Sequence, residues 1–250
     1  MAGVPENDCR QAELRRGVLP PFQLGSRTLE TLFEEVRPLV DKTASLRAAP
    51  RRTVDVVIDL SGGRQLRGTV GGLHEEYLVA VSYSKLGPAA RLRAWLSMLA
   101  LSAGHPDKPW GAATVGRGDR GRPQCATLTP IKAQAALPVL QQLVELYDKG
   151  LREPLPMPVK SAAEYAAHRL RGAEVDDAEY RARMKWATGS FPGEDDDAAH
   201  AQVWGRRAPF ETLLTATPPD ETWGGEPHRF GELAIRMWFP LLDHEKRSVL

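Results

Sequence analysis

The stretch LRGTVGGLHEEYLVAVSYSKL, residues 66–86, holds the positions where this chain could do chemistry on a phosphodiester. It reads as a strand, a turn and a second strand. Such a hairpin can hold Mg²⁺ when Asp ends one strand and Glu/Asp-x-Lys sits on the next. The metal then activates water, and the Lys stabilises developing charge. The pattern to look for is G-x-(V/I)-D, a short gap, then D-Y-K on a buried strand. The chain offers Gly68-Thr69-Val70-Gly71, then Val81-Ser82-Tyr83-Ser84. The shape fits and the acids are missing. Gly71, Ser82 and Ser84 therefore mark degenerate positions, with no carboxylate for a hard cation. Glu75 and Glu76 fall in the turn, where solvation is their expected role. One enzymatic alternative stays open, a Mg²⁺-dependent nuclease with Asp55, Asp59 or Glu75 in rearranged positions. An ordinary α/β hairpin is also compatible with these residues alone.

Other chemistries find less support. No GxxxxGK[ST] string is present, and GRGDRGRP lacks the Lys-Ser/Thr pair that reaches a terminal phosphate, which argues against an ATP site. GEDDDAAH gathers Glu194, Asp195, Asp196, Asp197 and His200 without the D-x-[DN]-x-[DN]-G calcium pattern. An acidic run ahead of a helix ordinarily just favours its N-terminus. The six His lie in no Gly-x-Ser-x-Gly or metalloprotease helix motif. Cys9 and Cys125 stand far apart with no CxxC, which fits a reducing cytosol rather than a disulfide framework or a zinc site. No metal or cofactor is expected in this chain itself.

The elements that must position these residues follow from periodicity. Residues 1–13 read as a polar tail. SRTLETLFEEVRPLVDKTASLRAA places Leu29, Leu32, Phe33, Val36, Leu39 and Val40 at helical spacing, with Ser26 as cap and Pro38 as a kink. RTVDVVIDLSGG alternates Val54, Val56 and Ile58 against Asp55 and Asp59, as a half-buried strand does. YLVAVSYS is nearly continuous in apolar residues, which predicts burial on both faces. ARLRAWLSMLALSAG reads as a core helix with Leu92, Trp95, Leu96, Leu99 and Ala100 on one side. GAATVGRGDRGRPQCATLTPI reads as a hairpin turning at residues 118–123, and AQAALPVLQQLVELYDKG as an amphipathic helix. The order helix, three strands, helix, two strands, helix makes an α/β core over residues 14–150. LREPLPMPVK is a Pro-rich connector, and residues 151–250 continue as helical segments of the same domain, with Trp186, Trp204, Trp223 and Trp238 as packing anchors.

Composition bounds the rest. The 250 residues are 42% hydrophobic and 26% charged, which supports a sizeable core. The longest apolar stretch, residues 96–101, is too short to span a bilayer, and MAGVPENDCR has no hydrophobic leader, so a cytoplasmic place away from membranes is expected. Net charge is +1 but uneven: residues 1–150 carry 20 Lys/Arg against 15 Asp/Glu, and residues 151–250 carry 13 against 17. The first part therefore leans toward an anionic partner.

Several longer stretches, taken in order, resemble one family. They are LRRGVLPPFQLG, LRGTVGGL, VSYSKLGPAARLRAWLSMLALSA, LVELYDKGLREPLPMPVKSAAEYA, VWGRRAPFETLL and RFGELAIRMWFPLLDHE. No single stretch is specific, but their spacing over residues 14–245 is similar to the C-terminal domain of RecC. RecC is the gamma subunit of exodeoxyribonuclease V (RecBCD), and the Arg- and Ala-rich style resembles actinobacterial members. The resemblance implies a restriction-endonuclease-like α/β fold, of the α+β kind, with a degenerate active site and helical segments after it. It implies a non-catalytic domain that guides DNA and docks subunits within an ATP-dependent helicase/exonuclease, in double-strand-break repair by homologous recombination. The implied partners are RecB-like and RecD-like subunits and double- and single-stranded DNA, with Mg²⁺ and ATP used by those subunits. A full gamma subunit is about a thousand residues, so the chain is expected to match only part of one. A purely structural protein-interaction domain is the remaining alternative. DNA contact in such a domain is mostly to phosphates. The first candidates are Arg117, Arg120 and Arg122 at the hairpin tip, and the second Arg64, Arg67, Lys85, Arg91 and Arg93 near the degenerate positions.

Overall fold

Alternation of apolar and polar residues decides the sheet. The computed structural model describes residues 4–118, 122–187, 189 and 192–250. Among these residues are six strands and eight α-helices. Strand β1 (Arg51–Asp59) buries Val56 and Ile58 and turns Asp55 and Asp59 outward, as its alternation predicts. It pairs antiparallel with β2 (Gln65–His74), which turns at Glu75 and Glu76 into β3 (Tyr77–Lys85). Helix α3 (Pro88–Gly104) then crosses over to β4 (Gly111–Arg117), which lies parallel to β3. β5 (Pro123–Leu128) returns antiparallel beside β4, so the predicted hairpin forms, and β6 (Glu245–Val249) closes that edge against β5. The sheet order is β1-β2-β3-β4-β5-β6.

Helices cover both faces. Trp95, Met98, Leu99 and Leu101 of α3 are wholly buried in the main core, together with Leu140 and Leu143 of α4 (Ala133–Gly150) and Trp238 of α8 (Arg229–His244). Ala112 of β4 joins this core. Its neighbours Ala113 and Val115 face the other way and meet Leu39 of α2 (Gln23–Lys42) and Cys125 in a smaller cluster. Helices α5 (Val159–Leu170), α6 (Val175–Trp186) and α7 (Ala198–Trp204) complete the molecule, with α5 packed on α6 and α8.

Five expectations need correction. Residues expected as a polar tail form helix α1 (Glu6–Arg15), which buries none of its own side chains. It is held to α2 by the Arg10 guanidinium over the Phe33 ring at 5.1 Å and by Arg37 to Glu6 at 2.9 Å. Helix α2 starts at Gln23, ahead of the predicted Ser26 cap, and buries Leu29, Phe33 and Leu39 while Leu32 stays exposed. Strand β3 buries only Leu78 and Val79, because β2 leaves its side beyond that point. The last segment stops being helical at His244 and ends as a strand, its backbone drawn into the open edge of β5. Trp186 and Trp238 are the buried anchors expected, whereas Trp223 lies 38% exposed beneath the Arg236 guanidinium, 3.6 Å from its ring centroid.

Candidate nucleic-acid interface

The sheet splits beside Gly71 and Ser82. β2 and β3 pair only through Leu73 with Leu78 and His74 with Tyr77. The register between β1 and β2 then slips by one at Arg52/Thr53, which leaves Gly72 as the extra residue at φ +79°. Glycine is suited to that left-handed backbone. The bulge sends β2 along β1 while β3 runs on beside β4. The two strands open a cleft of about 1090 Å³.

Gly71 lines one wall of this cleft and Ser82 the other. Ser82 Oγ accepts a hydrogen bond from the Ser84 amide at 3.1 Å, and Ser84 lies further along the strand, outside the lining. Gly71 has no unusual backbone, and a Cβ there would meet only Thr53 Cγ2 at 3.4 Å. Backbone geometry therefore does not demand glycine at 71.

The remaining acids do not restore a metal site. Asp55 accepts from Thr69 Oγ1 at 2.6 Å, and Asp59 accepts from Gln65 Nε2 at 2.8 Å; both sit exposed on β1. Glu75 is exposed in the turn at φ +54°, and its carbonyl is gripped by the Arg52 guanidinium. No three His, Cys, Asp or Glu side chains converge as a metal cage among the described residues. The acidic run at 194–197 is structural in its contacts. Buried Glu194 accepts from the Lys160 and Ser161 amides at 2.8 Å each, at the start of α5, and Asp197 caps α7 through the Ala199 amide at 3.0 Å. His200 Nδ1 lies 2.8 Å from the Glu194 carbonyl oxygen.

The basic candidates divide by what they already hold. Arg91 is buried, bonded through both guanidinium arms to Glu245 and lying over the Trp238 ring at 5.7 Å, which takes it out of any surface. Arg64 forms a two-armed pair with Asp148 of α4, and its hydrogen bond depresses the Asp148 carboxyl below the ordinary carboxylate range. Arg67 is exposed and donates to Gln65. Arg117 pairs with Glu35 at 2.8 Å and lies over the Tyr83 ring at 4.0 Å, tying the hairpin to α2. Arg122 is exposed beside the turn, and Arg120 lies outside the described residues. Lys85 is exposed at the end of β3.

Of these candidates, Arg93 alone lines the cleft. Two residues that sequence reasoning passed over join it: Arg47 from the α2–β1 connection and Arg51 at the start of β1. Arg47 is anchored to the α2 C-terminus through the Val40 carbonyl at 3.0 Å and Thr43 Oγ1 at 2.8 Å. Arg51 and Arg93 are exposed. Asp41 is the one acid on the lining. Their signal in the sequence was the Arg51-Arg52 pair opening a strand, which carries meaning only once the β2–β3 split is known.

A six-stranded sheet with helices on both faces, split over Arg47, Arg51, Arg93 and Ser82, defines a mixed α/β domain. The family follows from comparison. Residues 1–170 match the family model "RecC C-terminal domain", and the chain belongs to that family. It is 41% identical over 247 residues, 98% of its length, to a protein named RecBCD enzyme subunit RecC from Mycolicibacterium smegmatis. It is 39% identical over 246 residues to the protein of the same name from Mycobacterium tuberculosis. The chain spans about a fifth (22%) of the length of these curated relatives.

Proposed function

We propose that this domain holds and routes the DNA backbone without cutting it, and docks against RecB-like and RecD-like subunits. The work it serves is an ATP-dependent helicase/exonuclease in double-strand-break repair. In this reading the sheet is a restriction-endonuclease-like scaffold. The β2–β3 split at Gly71 and Ser82 and the α3 crossover into parallel β4 support it. Mg²⁺ and ATP then act in the partner subunits. The observation that carries the proposal is the cleft, whose lining has Arg47, Arg51 and Arg93 against the single acid Asp41. His74 brings one ring to the lining, which has no Phe, Tyr or Trp among the described residues. That composition suits contact mainly to phosphates, and so sequence-independent binding.

A second observation favours the docking half. Leu92, Leu96, Val144, Tyr147, Leu151 and Met237 surround an apolar groove of about 800 Å³ between α3 and α4. Tyr147 and Leu151 are 65% and 69% exposed, an unusual position for two large apolar side chains side by side. The test is a pull-down of the chain with RecB-like and RecD-like subunits, followed by incubation of the purified chain with linear duplex DNA and Mg²⁺. Stable association with intact DNA is expected. Cleavage by the chain alone, lost in Asp55→Ala or Asp59→Ala, would replace this proposal with an active nuclease.

A further inference from the structure

A second basic hollow, of about 570 Å³, lies beside the first turn of α3, along α5 and against β6. Its floor is Ala163 and Ala167 on one face of α5. Small side chains there leave a shallow trough rather than a filled groove. Lys160 stands at one end of α5 and Arg171 just past the other, about 16 Å apart at 1.5 Å per helical residue. Lys185 of α6 and Arg247 of β6 flank the trough.

The cations are mostly uncommitted. Lys160 and Arg171 make no ion pair among the described residues. Arg247 has only a long hydrogen bond to Gln124 at 3.4 Å. Lys185 lies 3.8 Å from Glu164. The two acids of the lining are both engaged: Glu245 is bonded to Arg91 beneath the trough, and Glu164 is shared between Lys185 and His168. With the buried Arg91–Glu245 pair set aside, four cations against Glu164 leave the lining net positive. The accessible charge comes from three separate elements, α5, α6 and β6, which ordinary solvation of one helix face does not require.

We propose that this trough is a second phosphodiester-binding site, which holds a single-stranded nucleic-acid backbone along α5. The inference rests on the DNA-guiding reading above and adds a site to it. Its two ends, at Lys160 and Arg171, suit an extended polyanion better than one compact phosphate. The lining has no aromatic ring, so contact is again to phosphates and tolerant of sequence.

The experiment is lysine acetylation of the whole chain, read by mass spectrometry with and without a short oligothymidylate. It is joined to salt titrations of oligothymidylate binding. Lys160 and Lys185 should be protected while the exposed Lys132 is not. The variant Lys160→Ala/Arg171→Ala/Arg247→Ala should lower the slope of log affinity against log salt by about 2, at roughly 0.7 per lost contact on a single strand. Unprotected Lys160 and Lys185, with a triple variant that binds like the parent, would overturn the trough. If Arg51→Ala/Arg93→Ala still weakened binding in that case, the cleft reading would survive. Loss of binding to a polyglutamate peptide alone would assign the trough to an acidic protein segment and overturn it too. A parent chain that binds no DNA would remove both readings together.

Discussion

At the residue scale, the tightest network lies away from both basic surfaces. Arg229 is 9% exposed and bonds Glu221 at 2.7 Å and Glu153 at 2.7 Å. Lys149 approaches the same Glu221, which is fully buried. Burial pushes Glu221 upward, but the Arg229 and Lys149 bonds outweigh it and leave its carboxyl below the ordinary 4.5. Arg229→Ala should therefore destabilise the chain by about 3–5 kcal/mol in urea denaturation, because it strands a buried carboxylate. The pH sense follows from the same shift. Glu221 is more acidic folded than unfolded, so its contribution is complete above 4.5 and fades as pH falls through the lower folded value. Denaturation midpoints should drop on acidification, and Glu221→Gln should flatten that drop. Gly72 and Gly71 give a paired test. Gly72→Ala forces a side chain into φ +79° and should cost about 1–3 kcal/mol. Gly71→Ala should stay within about 1 kcal/mol, since only Thr53 stands near. Equal losses at the two positions would contradict the bulge.

At the element scale, helices borrow their caps from distant sequence. The amides of Lys160 and Ser161 at the start of α5 are satisfied by Glu194, 33 residues from Ser161. Glu194→Ala leaves those donors without their acceptor and should cost about 1–3 kcal/mol, with faster amide exchange in the first turn of α5. Unchanged exchange there would show that the cap does not matter. This is where the sequence was least legible. Strands β1 to β5, α3, α4 and the β4–β5 hairpin follow from period and turn residues and formed in the expected order, although β3 is less buried than its apolar run predicts. The ends of elements did not. Ser26 is a good capping residue, yet Phe22 begins α2 at φ +57°. The acids of GEDDDAAH resembled cation ligands because a cap and a ligand use the same oxygens. Arg91 looked like a surface cation until its partner, 154 residues away, was seen. Strand β6 has the polar composition of a surface end and is ordered by pairing with β5, which no local signal encodes.

At the scale of the whole molecule, the sheet carries the account. A bulge at Gly72 parts β2 from β3, α3 closes the base of the opening, and arginines from one connection, one strand and one helix line it. The sequence singled out Gly71 and Ser82, and the fold sets both on the walls of one cleft. The identity of the cleft's cations was not legible, because Arg47, Arg51 and Arg93 are brought together only by the fold. Among the described residues no helix is long and apolar enough to cross a membrane. The relatives' greater length sets the frame for function, since this chain corresponds to about a fifth (22%) of them. The apolar groove beside α4 should respond to charge: Leu151→Glu should weaken capture of a RecB-like or RecD-like subunit in the pull-down while leaving the denaturation midpoint unchanged.

The split-sheet cleft should bind a DNA backbone without cutting it. The most direct test is a fluorescence-anisotropy titration of single-stranded DNA with the purified chain in Mg²⁺, at several salt concentrations, with the DNA run on a gel afterwards. The account predicts binding that weakens as salt rises and a slope lowered by about 1.4 in Arg51→Ala/Arg93→Ala, at about 0.7 per phosphate contact. The recovered DNA should be full length. Binding indifferent to salt and to both arginines, or shortened DNA, would contradict it.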